Sequence, residues 1–211
     1  DDVKWLDYGA DNYAGVTWSN VPEQDGRRLF IGWMSNWDYA QVVPTHPWRS
    51  ATTLPRSLEL VKSGDGFLVA SRPAVELKSL RKSTHEISGE SIVLEEELME
   101  LELIPTVESD FEIEFSNVKG EKVIFKKSGE SLVFDRTASG LVDFEARFAK
   151  IHTAPLNGLE VKSLKIYIDR SSVEIFVNDG EMVMTELVFP TEPYSRLKLT
   201  GFENPGSMHY L

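Results

Sequence analysis

The chain has 211 residues, a length that allows one large domain or two modest ones. Its formal net charge is −12, so most of its surface would repel nucleic acid and anionic membranes, and we expect neither as a partner. Hydrophobic residues make up 41% of the chain, which supports a packed core and argues against disorder. The chain has no cysteine, which excludes disulfides, thiolate metal sites and cysteine nucleophiles. It has no run of about 18 apolar residues that would predict a transmembrane helix.

Apolar and polar residues alternate along most of the chain, a pattern typical of half-buried β-strands. The alternation is clearest in 111–115, where Phe and Ile take turns with Glu. The predicted strands, in chain order, are 29–33, 51–60, 67–70, 92–104, 111–115, 123–126, 132–135, 164–168, 173–177, 182–189 and 197–202. Asn178-Asp179-Gly180 lies between two of these runs and indicates a hairpin turn. Only 144–150 has a helix-like pattern, for a turn or two, so the sequence predicts an all-β protein.

The composition changes near residue 75, which predicts two units, 1–74 and 75–211. All five tryptophans precede this point, and plain strand alternation follows it. The second unit, with roughly eight or nine short strands, fits a β-sandwich. The first, with about four strands, has the size of one blade of a β-propeller. A single blade has two open edges, so we expect it either to dock on the sandwich or to belong to a propeller completed elsewhere.

Motifs for metal, cofactor and hydrolytic chemistry are missing from the sequence. The four histidines are far apart and form no His-Glu-x-x-His motif, so no metal site is predicted. The chain has no Gly-x-Ser-x-Gly elbow, no phosphate-binding glycine loop and no dinucleotide fingerprint, and we predict no cofactor. The acidic run Glu95-Glu96-Glu97 is interpreted as a solvated strand edge that discourages edge pairing.

Trp33 and Trp37 carry a more specific signal. Ser35, Asn36 and Asp38 lie between and beside them. Indole faces can stack on the C–H face of a sugar ring while short polar side chains bind its hydroxyls. This arrangement predicts a sugar-binding surface. The alternative is that both tryptophans belong to the core, which is common in β domains.

Five segments together resemble glycoside hydrolase family 32, the invertases, levanases, exo-inulinases and other fructan β-fructosidases. Residues 6–14, Leu-Asp-Tyr-Gly-Ala-Asp-Asn-Tyr-Ala, are similar to the family's Asp-Tyr-Gly-x-Asp-Phe-Tyr-Ala segment. Residues 31–37, Ile-Gly-Trp-Met-Ser-Asn-Trp, resemble its fifth-blade tryptophan motif, and 45–56 resembles the strand that follows. Residues 134–136 and 169–180 resemble parts of its C-terminal β-sandwich.

The resemblance implies a five-bladed propeller joined to a β-sandwich, and a retaining double displacement on fructosides. In the family an Asp attacks the anomeric carbon, a Glu serves as acid and then base, and a second Asp holds the fructosyl ring. These residues sit in Trp-Met-Asn-Asp-Pro-Asn-Gly, Arg-Asp-Pro and Glu-Cys motifs, none of which occurs here. We therefore expect the last blade plus the sandwich of such an enzyme, with no nucleophile or acid/base among these residues and no activity by the chain alone.

The resemblance also implies binding residues and partners. Asp7 matches a position that contacts the sugar, and one of Trp33 and Trp37 would line the fructose pocket. Trp48, Arg49 and Arg56 are interpreted as structural ties between strands. Asp135 with Arg136 is interpreted as a strand-end ion pair or a turn cap. The expected partners are a fructan or sucrose, through the intact enzyme, and the propeller part of the same protein, in an extracellular or periplasmic location. Two alternatives remain: a fructan-binding module without catalysis, and an assembly domain.

Overall fold

A computed structural model describes residues 3–64, 66–107 and 109–211. The described chain is almost entirely β-structure, which confirms the predicted fold class. Its single helix within those residues is a 3₁₀ helix, Val75–Leu80. No described helix is long and apolar enough to cross a membrane.

The first part of the chain forms one antiparallel sheet, the N-terminal sheet. Its strands are β1 (Tyr13–Thr17), β2 (Arg28–Met34), β3 (Ala51–Thr52), β4 (Arg56–Ser63) and β5 (Gly66–Pro73). The order across the sheet is β1-β2-β4-β5, with β3 paired to β2. Chain neighbours therefore lie beside each other, as in a propeller blade.

The rest of the chain forms two six-stranded antiparallel sheets. The near sheet, which faces the N-terminal sheet, has the order β15-β14-β13-β8-β17-β6, and the far sheet has the order β12-β11-β10-β9-β16-β7. Their strands are β6 (Ser83–Ile87), β7 (Ser91–Val93), β8 (Met99–Leu103), β9 (Phe111–Ser116), β10 (Lys122–Ser128), β11 (Ser131–Ala138), β12 (Ile151–Pro155), β13 (Leu164–Asp169), β14 (Ser172–Val177), β15 (Met182–Leu187), β16 (Arg196–Thr200) and β17 (Gly206–Tyr210).

The main core lies between the near and far sheets and follows the alternation of the sequence. In β9 the Phe and Ile side chains are buried in this core, while the two Glu between them point away from it. In β13 Leu164, Ile166 and Ile168 are buried in the same core from the opposite sheet. Two facing sheets with inward apolar residues form a β-sandwich, as predicted.

Two predicted strands are split in the structure. Residues 92–104 form β7 in the far sheet and β8 in the near sheet, so Glu95-Glu96-Glu97 lies in the loop that crosses between them. This corrects the interpretation of that run as a strand edge. Residues 51–60 form β3 and β4, separated at Leu54-Pro55. Proline has no N–H to donate to a ladder, which explains this second break.

The structure also contains strands that the sequence analysis missed. The sandwich has twelve strands within the described residues, more than the eight or nine expected, and the N-terminal sheet has five. The missed strands are β1, β6, β12 and β17. They carry short or polar side chains in mixed order, so alternation does not mark them. The division at residue 74 stays a prediction; β5 ends at Pro73, and the 3₁₀ helix leads from it towards β6.

The N-terminal sheet docks on the sandwich through residues 7–11, which cover the edge strand β15. The N–H of Tyr8 donates to the carbonyl of Val183 at 2.8 Å, and that of Asp11 to the carbonyl of Thr185 at 3.1 Å. Between them Gly9 passes so close that a Cβ there would lie 2.2 Å from the main-chain nitrogen of Thr185. This segment satisfies the open edge of the near sheet, a position that would otherwise invite pairing with another chain.

The sandwich core generates a prediction at Phe134, which is 1% exposed in β11. Replacing Phe134 by Ala leaves a cavity, so we expect the free energy of unfolding to fall by about 3–5 kcal/mol in urea denaturation. Val118→Ala, at a residue that is 88% exposed, is the control and should change it by less than about 0.5 kcal/mol. Equal effects of the two substitutions would contradict the assignment of this core.

Candidate functional site

Three neighbouring rings form an exposed aromatic surface on the N-terminal sheet. Tyr13 and Trp33 are directly opposite each other on β1 and β2, with ring centroids 6.2 Å apart in an edge-to-face arrangement. Trp37 follows β2 and leans on Trp33, with centroids 5.0 Å apart. Trp37 is 64% exposed and Tyr13 is 55% exposed, whereas Trp33 is half-buried. Neither predicted tryptophan is therefore a core residue, and the rings present an apolar face to solvent.

Two of the polar residues beside these rings, Asn36 and Asp38, bind other parts of the protein. Asn36 donates through Nδ2 to the carbonyl of Ala10 at 3.0 Å, and its Oδ1 accepts from the N–H of Asp38 at 3.0 Å. This Asx turn begins the loop that carries Trp37. Asp38 is held by Arg147, and Ser35 is fully buried. The surface therefore owes its apolar character to the rings, while Asn36 and Asp38 set the backbone beneath Trp37.

Asp7, the third predicted site residue, lies at the seam between the N-terminal sheet and the sandwich. Its side chain is 5% exposed. Five donors reach the carboxylate: Gly9 N at 2.9 Å, Asn12 Nδ2 at 3.0 Å, Arg56 Nη1 at 3.0 Å, Thr185 N at 2.9 Å and Thr185 Oγ1 at 2.6 Å. A carboxylate has about four lone-pair sites, so these partners fill it. The structure places Asp7 in the docking segment, and its sugar contact stays a prediction.

Arg56 joins Asp7 to the near sheet. Its guanidinium is fully buried and donates from Nη2 to Glu174 Oε2 at 2.6 Å and to Thr185 Oγ1 at 2.6 Å. Burial disfavours the charge, but Glu174 and then Asp7 outweigh it and raise the pKa of Arg56. Burial raises the pKa of Glu174 as well, and Arg56 opposes that shift. The guanidinium therefore bridges a carboxylate of each side of the seam, within hydrogen-bond distance of both.

A second buried arginine forms an equivalent cluster further along β15. Arg136 donates from Nη1 to Asp11 Oδ2 at 2.6 Å and from Nη2 to the hydroxyl of Tyr39 at 3.0 Å, and it lies 3.2 Å from Glu186. The Tyr39 hydroxyl donates to Asp11, which also accepts from Leu187 N at 2.8 Å. Burial, followed by the charge of Asp11, raises the pKa of Tyr39. The segment 7–11 therefore ends in two arginine clusters, one at each end.

Two protein-family models match successive parts of the chain. The model described as "Glycosyl hydrolases family 32 C terminal" matches residues 76–211, and "Glycosyl hydrolases family 32 N-terminal domain" matches residues 1–71. The chain belongs to glycoside hydrolase family 32. It is 38% identical to a levanase of Bacillus subtilis over 93% of this chain and 32% of the relative. It is 30% identical to an extracellular exo-inulinase of Aspergillus awamori over 94% of this chain and 40% of the relative.

Solved structures of family 32 enzymes share the fold. The exo-inulinase from Aspergillus awamori superposes with a TM-score of 0.83 at 25% identity, covering 98% of this chain and 44% of that one. Sucrose-6-phosphate hydrolase from Lactobacillus gasseri gives a TM-score of 0.80 at 24% identity, covering 98% and 42%. The chain thus spans about a third to two fifths of the levanase and the exo-inulinase and somewhat over two fifths of these solved chains.

The structure also shows the contacts of the other residues that the sequence analysis named. Arg56 is a structural tie, as expected, although it joins the N-terminal sheet to the sandwich rather than neighbouring strands. Trp48 is half exposed and caps a turn only through its carbonyl, which accepts from the hydroxyl of Thr45. Of the two readings expected for Asp135 and Arg136, an ion pair or a turn cap, the structure shows the turn cap. Asp135 accepts from the N–H of Thr137, while Arg136 turns into the seam.

Sequence reasoning missed Tyr13 and the buried carboxylates of the near sheet. Tyr13 could have been found only by pairing β1 with β2, which places it opposite Trp33. Glu174 and Glu186 carried a signal, because each interrupts an apolar strand whose residues are all buried. A carboxylate buried in such a strand needs a cationic partner, and this requirement could have predicted an arginine contributed from outside the sheet.

The Arg56 cluster generates a stability prediction. Arg56→Ala leaves Asp7 and Glu174 buried without their cation, so we expect the free energy of unfolding to fall by about 3–5 kcal/mol at neutral pH. The control is Arg49→Ala. Arg49 was expected to tie strands as well but is exposed in the structure, so a change of less than about 0.5 kcal/mol is expected. Chemical denaturation of both variants checks this. A loss below about 1 kcal/mol for Arg56→Ala would show that the cluster does not hold the seam.

Proposed function

We propose that this chain is the C-terminal part of a glycoside hydrolase that releases fructose from β-fructosides by a retaining two-carboxylate mechanism. The main support is that the N- and C-terminal family 32 models match successive parts of the chain. The exposed aromatic surface lies on the first of these parts. The relatives are named levanase, exo-inulinase and sucrose-6-phosphate hydrolase. Levan, inulin and sucrose are the proposed substrate class.

The catalytic carboxylates are proposed to lie in the upstream part of the enzyme. A retaining glycosidase needs two carboxyl groups about 5–5.5 Å apart on either side of the sugar. The four carboxylates of the seam do not suit this task, because each is buried against an arginine. Those residues are Asp7, Asp11, Glu174 and Glu186. Their role in the proposal is to fix the propeller part on the sandwich.

Trp37 is proposed as the ring on which a fructosyl unit stacks. It is the most exposed of the three rings, while Trp33 supports it from one side and Tyr13 lies beyond. A stacked sugar buries its C–H face against the indole and keeps its hydroxyls hydrated or bound by other blades. For Asp7 we propose an indirect role, in which its saturated carboxylate fixes the segment that leads into β1.

The remaining propeller blades of the same protein are the proposed partner. Val16, on the edge strand β1, is 61% exposed, and Trp18 just after it is 40% exposed. Blades of a propeller bury such faces against one another, so further blades would cover apolar side chains here. We propose the division into 1–74, the last blade, and 75–211, the sandwich. An extracellular or periplasmic location is proposed because relatives include extracellular exo-inulinases.

The first prediction from this proposal concerns hydrolysis. The purified 211-residue chain, with its intact mass checked, is expected to release no fructose from levan, inulin or sucrose. The intact enzyme that contains it is expected to release fructose from at least one of them. Release by the chain alone at enzymic rates would mean that it carries a working carboxylate pair. Sugar binding without hydrolysis by the intact protein would favour the alternative, a fructan-binding module.

The second prediction concerns Trp37. In the intact enzyme we expect Trp37→Ala to raise KM for a fructan oligosaccharide by about tenfold, because one stacked ring face is lost. Trp5→Ala is the matched control. Trp5 is 67% exposed but has no ring contact with the aromatic surface, so its loss should leave KM within about twofold. Equal effects would show that Trp37 does not bind the sugar.

A further inference from the structure

Trp37 depends on its backbone for its orientation. Its ring is mostly exposed, and its aromatic neighbour is Trp33. A side chain without packing on its outer face keeps one direction only if the main chain beneath it is fixed. The relevant main chain is the loop 36–40, which lies between the N-terminal sheet and the sandwich.

The inner side of this loop is anchored in the seam. Tyr39 is buried, with its ring edge-on to Phe148 of the sandwich at 5.2 Å between centroids. Its hydroxyl lies between Asp11 and Arg136. The N–H groups of Tyr39 and Ala40 both donate to the carbonyl of Asn36, which closes the loop into a tight turn. The Tyr39 side chain therefore anchors the inner side of the loop, but Trp37 and Asp38 lie further out.

Arg147, a residue of the sandwich, binds the outer side of the loop. It lies in the turn-rich segment 139–150 between β11 and β12. Its Nη1 donates to Asp38 Oδ1 at 2.8 Å, and its Nη2 donates to the main-chain carbonyl of Asp38 at 2.7 Å. Glu145 orients the guanidinium by accepting from its Nε at 2.9 Å. The planar fork of arginine thus holds both the side chain and the backbone of the residue next to Trp37.

We propose that Arg147 is a positioning residue of the sugar-binding surface, acting on Trp37 through Asp38. The sandwich would then set the geometry of a site carried by the N-terminal sheet. This inference rests on the proposed function of the aromatic surface. Arg147 and Asp38 are about half exposed, so their pair contributes little to global stability. A positioning role and a global structural role therefore predict different results.

The test is Arg147→Ala in the intact enzyme. We expect faster amide hydrogen exchange at 38–40, a KM for a fructan oligosaccharide raised about two- to fivefold, and an unchanged unfolding midpoint. Arg147→Lys should recover part of the effect, since a lysine keeps the charge but cannot form the fork. An unchanged exchange rate at 38–40 would overturn the inference.

Arg72→Ala is the matched control. Arg72 in β5 also joins the two units, with its Nε 2.7 Å from Asp179 Oδ2 in the β14–β15 turn, away from the loop of Trp37. It should leave both KM and the exchange at 38–40 unchanged. An equal rise in KM for Arg72→Ala and Arg147→Ala would overturn the inference, because any weakened contact between the units would then suffice.

A double-mutant cycle shows whether Arg147 acts through Trp37. Adding Arg147→Ala to Trp37→Ala should raise KM no further, whereas an additive effect would overturn the inference. The proposed function can fail separately, if Trp37→Ala leaves KM unchanged. In that case the exchange rates still test whether Arg147 fixes the loop 36–40. Faster amide exchange at 38–40 in Arg147→Ala, but not in Arg72→Ala, would support that role.

Discussion

The arrangement of this chain depends on two buried arginines that each bind carboxylates from both sides of one seam. Arg56 reaches from the N-terminal sheet to Glu174, and Arg136 reaches from the sandwich to Asp11. Such groups are costly to bury singly and stable only when every partner is present. The seam is therefore specific as well as strong, since a shift of one residue would leave charges unpaired on both sides.

The seam explains how the aromatic surface stays in place although it is mostly exposed. Tyr13 comes two residues after the docking segment 7–11. The loop that carries Trp37 also contains Tyr39, whose hydroxyl lies in the Arg136 cluster. Hydrogen bonds of buried, charged groups are short and directional, so they transmit position better than apolar contacts. The inner side of the aromatic surface is thus fixed by residues that solvent does not reach.

The sequence predicted the sandwich core well, because alternation such as that of 111–115 reflects burial on one face directly. It failed where alternation continues while the chain changes sheets, as it does in 92–104. The exposed tryptophans could be predicted from their polar neighbours and from the family motif. The seam could not, because Arg136 and Asp11 are 125 residues apart and nothing local couples them. Asp135 is adjacent to Arg136 in sequence, but it caps the turn at Thr137 instead of pairing with the arginine.

The docking of segment 7–11 on β15 means that the order of parts along the chain differs from their order in space. A cut between residues 74 and 75 would separate the two sequence units but would remove a strand-like piece from the near sheet. The isolated 75–211 fragment would expose the N–H groups of Thr185 and Leu187 on a bare edge and leave Glu174 without its cation. The sandwich therefore does not form a self-contained unit: to be grafted elsewhere, it must carry both the peptide around Gly9 and the strand that bears Arg56.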